Sequence, residues 1–222
     1  MGNKVTLKAA DGHSLEAYAA EPKGTPRGAI VVIQEIFGVN SHIRSVADGF
    51  AADGYFAVAP ALYDRVERGY ESGYSQPEVQ AGLAVRAKIK PEQALADVQA
   101  AIDYAKKAGK VGVVGYCWGG TLAFLAATRL SGLAAAVSYY GGTVAEHKDE
   151  KPKVPVMFHF GETDHSIPLD KARAVEAAQP KSPTFYYAAG HGFNCEQRPS
   201  YHEASAKEAR SRTLDFFRKH VG

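Results

Sequence analysis

The sequence holds one cysteine in a setting built for attack. In Gly115-Tyr116-Cys117-Trp118-Gly119, glycines lie two residues to either side of Cys117, after an apolar run at Lys110–Gly115 and before an apolar helical stretch at Thr121–Leu130. A strand that turns sharply into a helix brings backbones too close for side chains at the flanking positions, which calls for glycine there. The residue at the tip then projects above the sheet, and the helix N-terminus behind it favours a thiolate. Glycine is 22 of 222 residues, so chance gives a cysteine this pair of neighbours about one time in a hundred. Cys195, the second cysteine, has no such flanks and reads as an inert thiol.

A thiol nucleophile needs a base and a group to orient that base, and after a strand–nucleophile–helix turn they follow in the order acid, then histidine. Asp164 lies in the polar turn after the apolar run Val154–Phe160 and is the best acid; Glu162 is second, nearer the strand. Of eight histidines, His191 in Ala189-Gly190-His191-Gly192-Phe193 follows the last strand-like run, where a loop can carry it over the sheet edge. His165 adjoins the acid, His159 falls inside a strand, and the others lie on turns or helices. Glu35 ends the buried run Gly28–Gln34 and points a carboxylate at the same crevice. The backbone N–H groups of Ile36 and Trp118 are the candidate oxyanion donors.

The elements that must position these residues alternate between strand and helix. Val5–Leu7 and Leu15–Ala19 flank the turn dipeptide Asp11-Gly12 and read as an antiparallel hairpin. Strands are expected at Gly28–Gln34, Tyr55–Ala59, Lys110–Gly115, Leu133–Tyr139, Val154–Phe160 and Thr184–Ala188. Helices are expected at Ile43–Ala52, from Pro91 to Gly109, at Thr121–Leu130 and Leu169–Ala178, and from Glu203 to Lys219. This order implies an α/β class: a mostly parallel central sheet with helices on both faces and the hairpin at one edge. Pro60 to Lys90 shows no sustained period and reads as an irregular, lid-like segment within a single domain of residues 1–222.

Composition closes off several classes. A net charge of +2 recruits neither nucleic acid nor an acidic membrane, and 45% hydrophobic with 23% charged residues is ordinary for a globular chain. No apolar run approaches the ~18–20 residues of a membrane helix, Met1–Ala10 lacks a signal-peptide core, and two cysteines cannot make a disulfide scaffold. A cytoplasmic address follows as the expectation, with a monomer or small homo-oligomer. The histidines and cysteines show no zinc-ligand spacing, so neither metal nor other cofactor is expected.

With these residues in place, the sequence resembles the dienelactone hydrolase (carboxymethylenebutenolidase) family, cysteine members of the α/β-hydrolase fold. The pieces that carry the resemblance are QEIFGVN at Gln34–Asn40, VGYCWGG at Val114–Gly120, DHSIP at Asp164–Pro168, AGHGF at Ala189–Phe193 and RTLDFF at Arg212–Phe217. It implies Cys117 as nucleophile, His191 as base, Asp164 as its orienter, and Glu35 as the carboxylate that contacts the resting thiol and takes its proton when an anionic substrate enters. It also implies arginines that hold a substrate carboxylate. No arginine follows the Gly-His pair until Arg198, and Arg86 in the middle segment has no tyrosine four residues on. Arg198, Arg86 and Tyr140 are the substrate-binding candidates.

The reading is therefore a thiol hydrolase of a small ester or lactone, working through a thioester. Two other readings compete: a catalytically silent hydrolase fold used for binding, and thiol redox chemistry between Cys117 and Cys195, which needs their Cα atoms within ~7 Å.

Overall fold

The structure is a computed structural model and describes residues 2–222. Eight strands form one sheet: β1 (Asn3–Lys8), β2 (Ser14–Ala20), β3 (Ala29–Ile33), β4 (Phe56–Pro60), β5 (Val111–Tyr116), β6 (Leu133–Tyr139), β7 (Val156–Gly161) and β8 (Thr184–Tyr187). They are ordered β1-β2-β4-β3-β5-β6-β7-β8. The first hairpin is antiparallel to its neighbours, and β4, β3, β5, β6, β7 and β8 are mutually parallel. This is the mostly parallel sheet with an antiparallel edge hairpin expected from the pattern of runs, and the α/β-hydrolase fold that the resemblance implies.

Every residue of β3 (AIVVI) and β5 (VGVVGY) is buried, which explains why these runs are apolar throughout rather than alternating. Strand order reverses between β3 and β5, so right-handed crossovers send successive helices to opposite faces. Helix α1 (Ser41–Ala52) follows β3, and α2 (Gln76–Arg86) and α3 (Pro91–Ala105) lead into β5. Helix α4 (Trp118–Arg129) follows β5, α5 (Leu169–Ala178) precedes β8, and α6 (Glu203–His220) closes the chain. Helices α1 and α6 meet through Phe50 and Phe217, ring centroids 5.9 Å apart, while α3 and α4 pack against each other. The apolar stripe of α3 (Ala94, Leu95, Val98, Ala101, Ile102, Ala105) is buried as its spacing predicts; each Leu, Val or Ile so buried contributes roughly 1.5–3 kcal/mol.

Pro60 to Lys90 is more ordered than its composition suggests. It contains a 3₁₀ turn at Leu62–Arg65 and the eleven-residue α2. The period is hard to see because α2 buries only Gly82 and Val85. Its start is fixed by Glu78, whose carboxylate accepts from the Gly73 and Ser75 N–H groups. Tyr63, which could have been a lid aromatic, is buried and donates to the Gly82 carbonyl at 3.0 Å, tying α2 to the body. Helix α4 starts three residues earlier than its apolar run predicts, because the elbow glycines are packed inside its first turn.

Candidate active site

The crevice at the strand-order reversal lies beyond the C-terminal ends of β3 and β5, and the site is built there. Cys117 is the hinge between β5 and α4, with φ 55° and ψ −118°. A non-glycine residue in that region is strained and persists only where its surroundings enforce it. Two contacts enforce it here: the Cys117 N–H donates to the Tyr139 carbonyl at 3.1 Å, and the Cys117 carbonyl accepts from the Gly120 N–H at 2.9 Å. The glycines answer to close approach. A Cβ on Gly119 would fall 2.4 Å from the Ile33 carbonyl oxygen and 2.5 Å from that of Gln34, and one on Gly115 would meet the Gly119 carbonyl. The strand-end loop that carries Glu35 and Ile36 thus lies directly against the elbow.

His191 arrives on the loop after β8. Its Nδ1 is 2.8 Å from Asp164 Oδ2, and Asp164 is buried, its other oxygen accepting from the Ser166 and Ile167 N–H groups at 2.8 and 3.1 Å. A carboxylate so held fixes the ring orientation and leaves the second nitrogen for the thiol, which is within its hydrogen-bonding reach. Burial pulls the His191 imidazolium down, but the adjacent Cys117 charge and the Asp164 hydrogen bond outweigh it, and its pKa is pushed up to about 10. The three side chains are placed as a nucleophile, a base and its orienter would need to be.

A cavity of about 260 Å³ opens onto this arrangement, with Cys117, Trp118 and His191 on its floor. Ile36 and Phe37 line it from the loop after β3, and Val79, Leu83 and Arg86 line it from α2, whose Gly82 packs against the Ile36 carbonyl. The Trp118 N–H, at the first residue of α4, has no backbone acceptor among the described residues. Thr121, Thr143 and Ser166 supply further lining hydroxyls. Nothing in the sequence marked Thr143 or Ser166, and α2 was read as part of an irregular segment, although Ser75 and Glu78 stand as a capping pair at its start.

The remaining candidates fall into place unevenly. Arg86 and Arg198 both line the cavity. Arg198 Nη1 donates to Glu35 Oε1 at 3.1 Å. Glu35 is buried, neither of its oxygens is hydrogen-bonded to the Cys117 thiol, and Oε2 has no partner among the described residues. The resemblance implied a resting Glu35–thiol contact; here the arginine holds the carboxylate instead. Tyr140 differs from its expected place. It is fully buried and off the cavity wall, with its ring centroid 5.1 Å from that of His191. It directly follows β6 with a positive φ of 37°. Cys117 and Cys195 are both free thiols, and Cys195 lies buried among Glu35, His42 and Tyr74.

Among the described residues, no helix is long and apolar enough to cross a membrane. The dienelactone hydrolase family model matches residues 15–221. A carboxymethylenebutenolidase of Pseudomonas putida is 35% identical over 224 residues, covering 96% of this chain and 94% of that protein. A solved structure from Klebsiella pneumoniae subsp. pneumoniae, named "Putative Dienelactone Hydrolase", superposes with a TM-score of 0.86 at 32% identity, covering 99% of both chains. An esterase of Pyrococcus furiosus shares the fold at a TM-score of 0.76 and 13% identity, covering 100% of this chain and 93% of that one.

Proposed function

This chain belongs to the dienelactone hydrolase family, hydrolases that act on lactones or esters, and on that premise we propose that it is a cysteine-dependent hydrolase of a small ester or lactone that proceeds through a thioester. The observation that carries the proposal is the line Cys117–His191–Asp164 at the floor of a small, largely apolar cavity. The substrate carbonyl sits between the Cys117 sulfur and the backbone N–H groups of Ile36 and Trp118. Attack forms a C–S bond and moves the carbonyl π electrons onto oxygen, where the two N–H groups stabilise the oxyanion. Collapse expels the alcohol or enol oxygen, which takes up the proton that left Cys117 and, in a lactone, opens the ring. His191 then draws a proton from water, the hydroxide adds to the thioester, and the acid leaves as the thiol is restored.

Arg198 and Arg86 are the cations for a substrate carboxylate. The Arg198–Glu35 ion pair supports a gated mechanism: an anionic substrate that engages Arg198 loosens Glu35, which becomes available to take the Cys117 proton. A thiol ionised only when substrate is present is protected from oxidation between turnovers. The test compares hydrolysis of a neutral activated aryl ester with that of an enol-lactone bearing a carboxylate. Wild type should favour the anionic substrate, and Arg198→Ala should erase the preference. Equal preference in the two proteins contradicts the role of Arg198, and hydrolysis that survives Cys117→Ala contradicts the nucleophile.

A further inference from the structure

Behind the catalytic floor, Glu35, His42 and Cys195 converge from three separate parts of the chain. One nitrogen of His42, one carboxylate oxygen of Glu35 and the Cys195 sulfur all lie within 4.8 Å of one another, and all three residues are buried. The atoms left unengaged are the ones a cation would use. His42 Nδ1 is 3.0 Å from Glu196 Oε2, which leaves Nε2, buried and with no oxygen or nitrogen partner among the described residues, to the Cys195 side. Glu35 gives Oε1 to Arg198 and leaves Oε2 buried and unpartnered. Tyr74 accepts from Asn40 Nδ2 at 3.0 Å, and its hydroxyl neighbours Cys195.

Each inward-facing atom is therefore backed from outside: a carboxylate on the histidine, a guanidinium on the carboxylate and a phenol on the thiol. This is the outer arrangement that fixes tautomer and orientation in metal centres, where a ligating histidine gives its other N–H to a carboxylate. The donor set is one imidazole nitrogen, one thiolate and one carboxylate oxygen, which suits a borderline-soft divalent cation such as Zn²⁺.

We propose that Glu35, His42 and Cys195 form a binding site for a divalent transition-metal cation of the zinc type, which draws on Glu35 from the proposed catalytic machinery but not on Cys117, His191 or Asp164. Metal–ligand bonds of ~2.0–2.3 Å can be met by three atoms that already lie within 4.8 Å of one another once they close around the ion. Binding expels the Cys195 thiol proton, and any proton on His42 Nε2, to solvent. The positive charge of Arg198 beside the site is met by the second Glu35 oxygen, and the Cys195 thiolate and Glu196 add negative charge. A cation held here joins the loop after β3 to the loop after β8 and keeps Glu35 away from Cys117.

The chain has two cysteines, so Cys117→Ala leaves Cys195 as the sole thiol, and binding is read in a protein that lacks the proposed nucleophile. Failure of the metal site and failure of the hydrolase mechanism are thus separate results. Co²⁺ added to the full-length Cys117→Ala protein should give a thiolate-to-cobalt charge-transfer band in the near ultraviolet, saturating at one equivalent and displaced by Zn²⁺. Zn²⁺ at a hundredfold excess over its Kd should raise Tm by about 5–10 °C. Cys117→Ala/His42→Gln should lose at least tenfold in affinity. A Cys117→Ala protein that shows no charge-transfer band at saturating Co²⁺ overturns the proposal, as does a band of unchanged affinity in the His42→Gln background.

Discussion

Two thiols in this chain each lie beside an imidazole and a carboxylate, and their surroundings differ in three ways. Cys117 stands on a strained turn at φ 55°, faces a cavity and shares His191 with one buried aspartate. Cys195 is wholly buried, on a loop whose backbone carries no such strain, and shares His42 with carboxylates on two sides. The first arrangement aims one sulfur at open space; the second aims three donor atoms at one another. Residue type alone therefore does not distinguish a nucleophile from a ligand or an inert thiol. What distinguishes them is access and the direction in which the polar atoms point.

The largest effects should fall on the Cys117 side. Cys117→Ala should lower kcat/KM by about 10⁴-fold or more, and His191→Gln or Asp164→Asn by about 10²–10⁴-fold, read by steady-state ester hydrolysis. Cys195→Ala should cost less than about tenfold. A reversal of that order would break the comparison. Gly119→Ala tests whether geometry makes the difference. The Ile33 and Gln34 carbonyls leave no room for the methyl group, so the variant should lose about 3 kcal/mol in urea unfolding and most of its activity. A stable, active Gly119→Ala protein would mean that the elbow is not tightly set.

Arg198 links the two regions, since it contacts Glu35 and also lines the cavity. Arg198→Ala should raise KM for a carboxylate-bearing ester about 10–100-fold, with less than about threefold change for a neutral one, as expected for loss of a charge-assisted hydrogen bond. His159 supplies a control histidine with no thiol beside it. It bonds to Tyr187 and Thr213 inside the sheet, and burial, with a smaller contribution from Arg212, pushes its pKa down to about 3. The unfolded chain then binds a proton near pH 6.5 that the folded chain refuses. The neutral ring's contribution is complete above about pH 6.5 and is lost as pH falls toward 3, by about 1 kcal/mol per pH unit. His159→Gln should flatten that part of a urea-unfolding profile measured against pH; an unchanged slope would refute the assignment.

The elbow was legible in the sequence because its chemistry is local: two glycines, a strand and a helix lie within a few residues of Cys117. Asp164 and His191 were legible because each follows a recognisable strand, so the sheet edge could be inferred. The Glu35–His42–Cys195 cluster was not, since Cys195 is far in sequence from the other two and meets them only because the loop after β8 packs against α1. Zinc-ligand spacing is a local signal and misses such a convergence. Helix α2 was obscured by its thin buried face, although Ser75 and Glu78 marked its start. Tyr140 was misplaced because its direction depends on a backbone φ that no spacing reveals. Arg198 was found as a cavity residue, but its grip on Glu35 depends on how the last loop folds back.

The most direct test of the central claim is intact-protein mass spectrometry after a brief incubation with a slowly turned-over aryl ester. The thioester mechanism predicts one added acyl mass in wild type, located by peptide mapping on Cys117, absent from Cys117→Ala and retained in Cys195→Ala. An acyl group mapped to any other residue, or hydrolysis in Cys117→Ala at the wild-type rate, would contradict it.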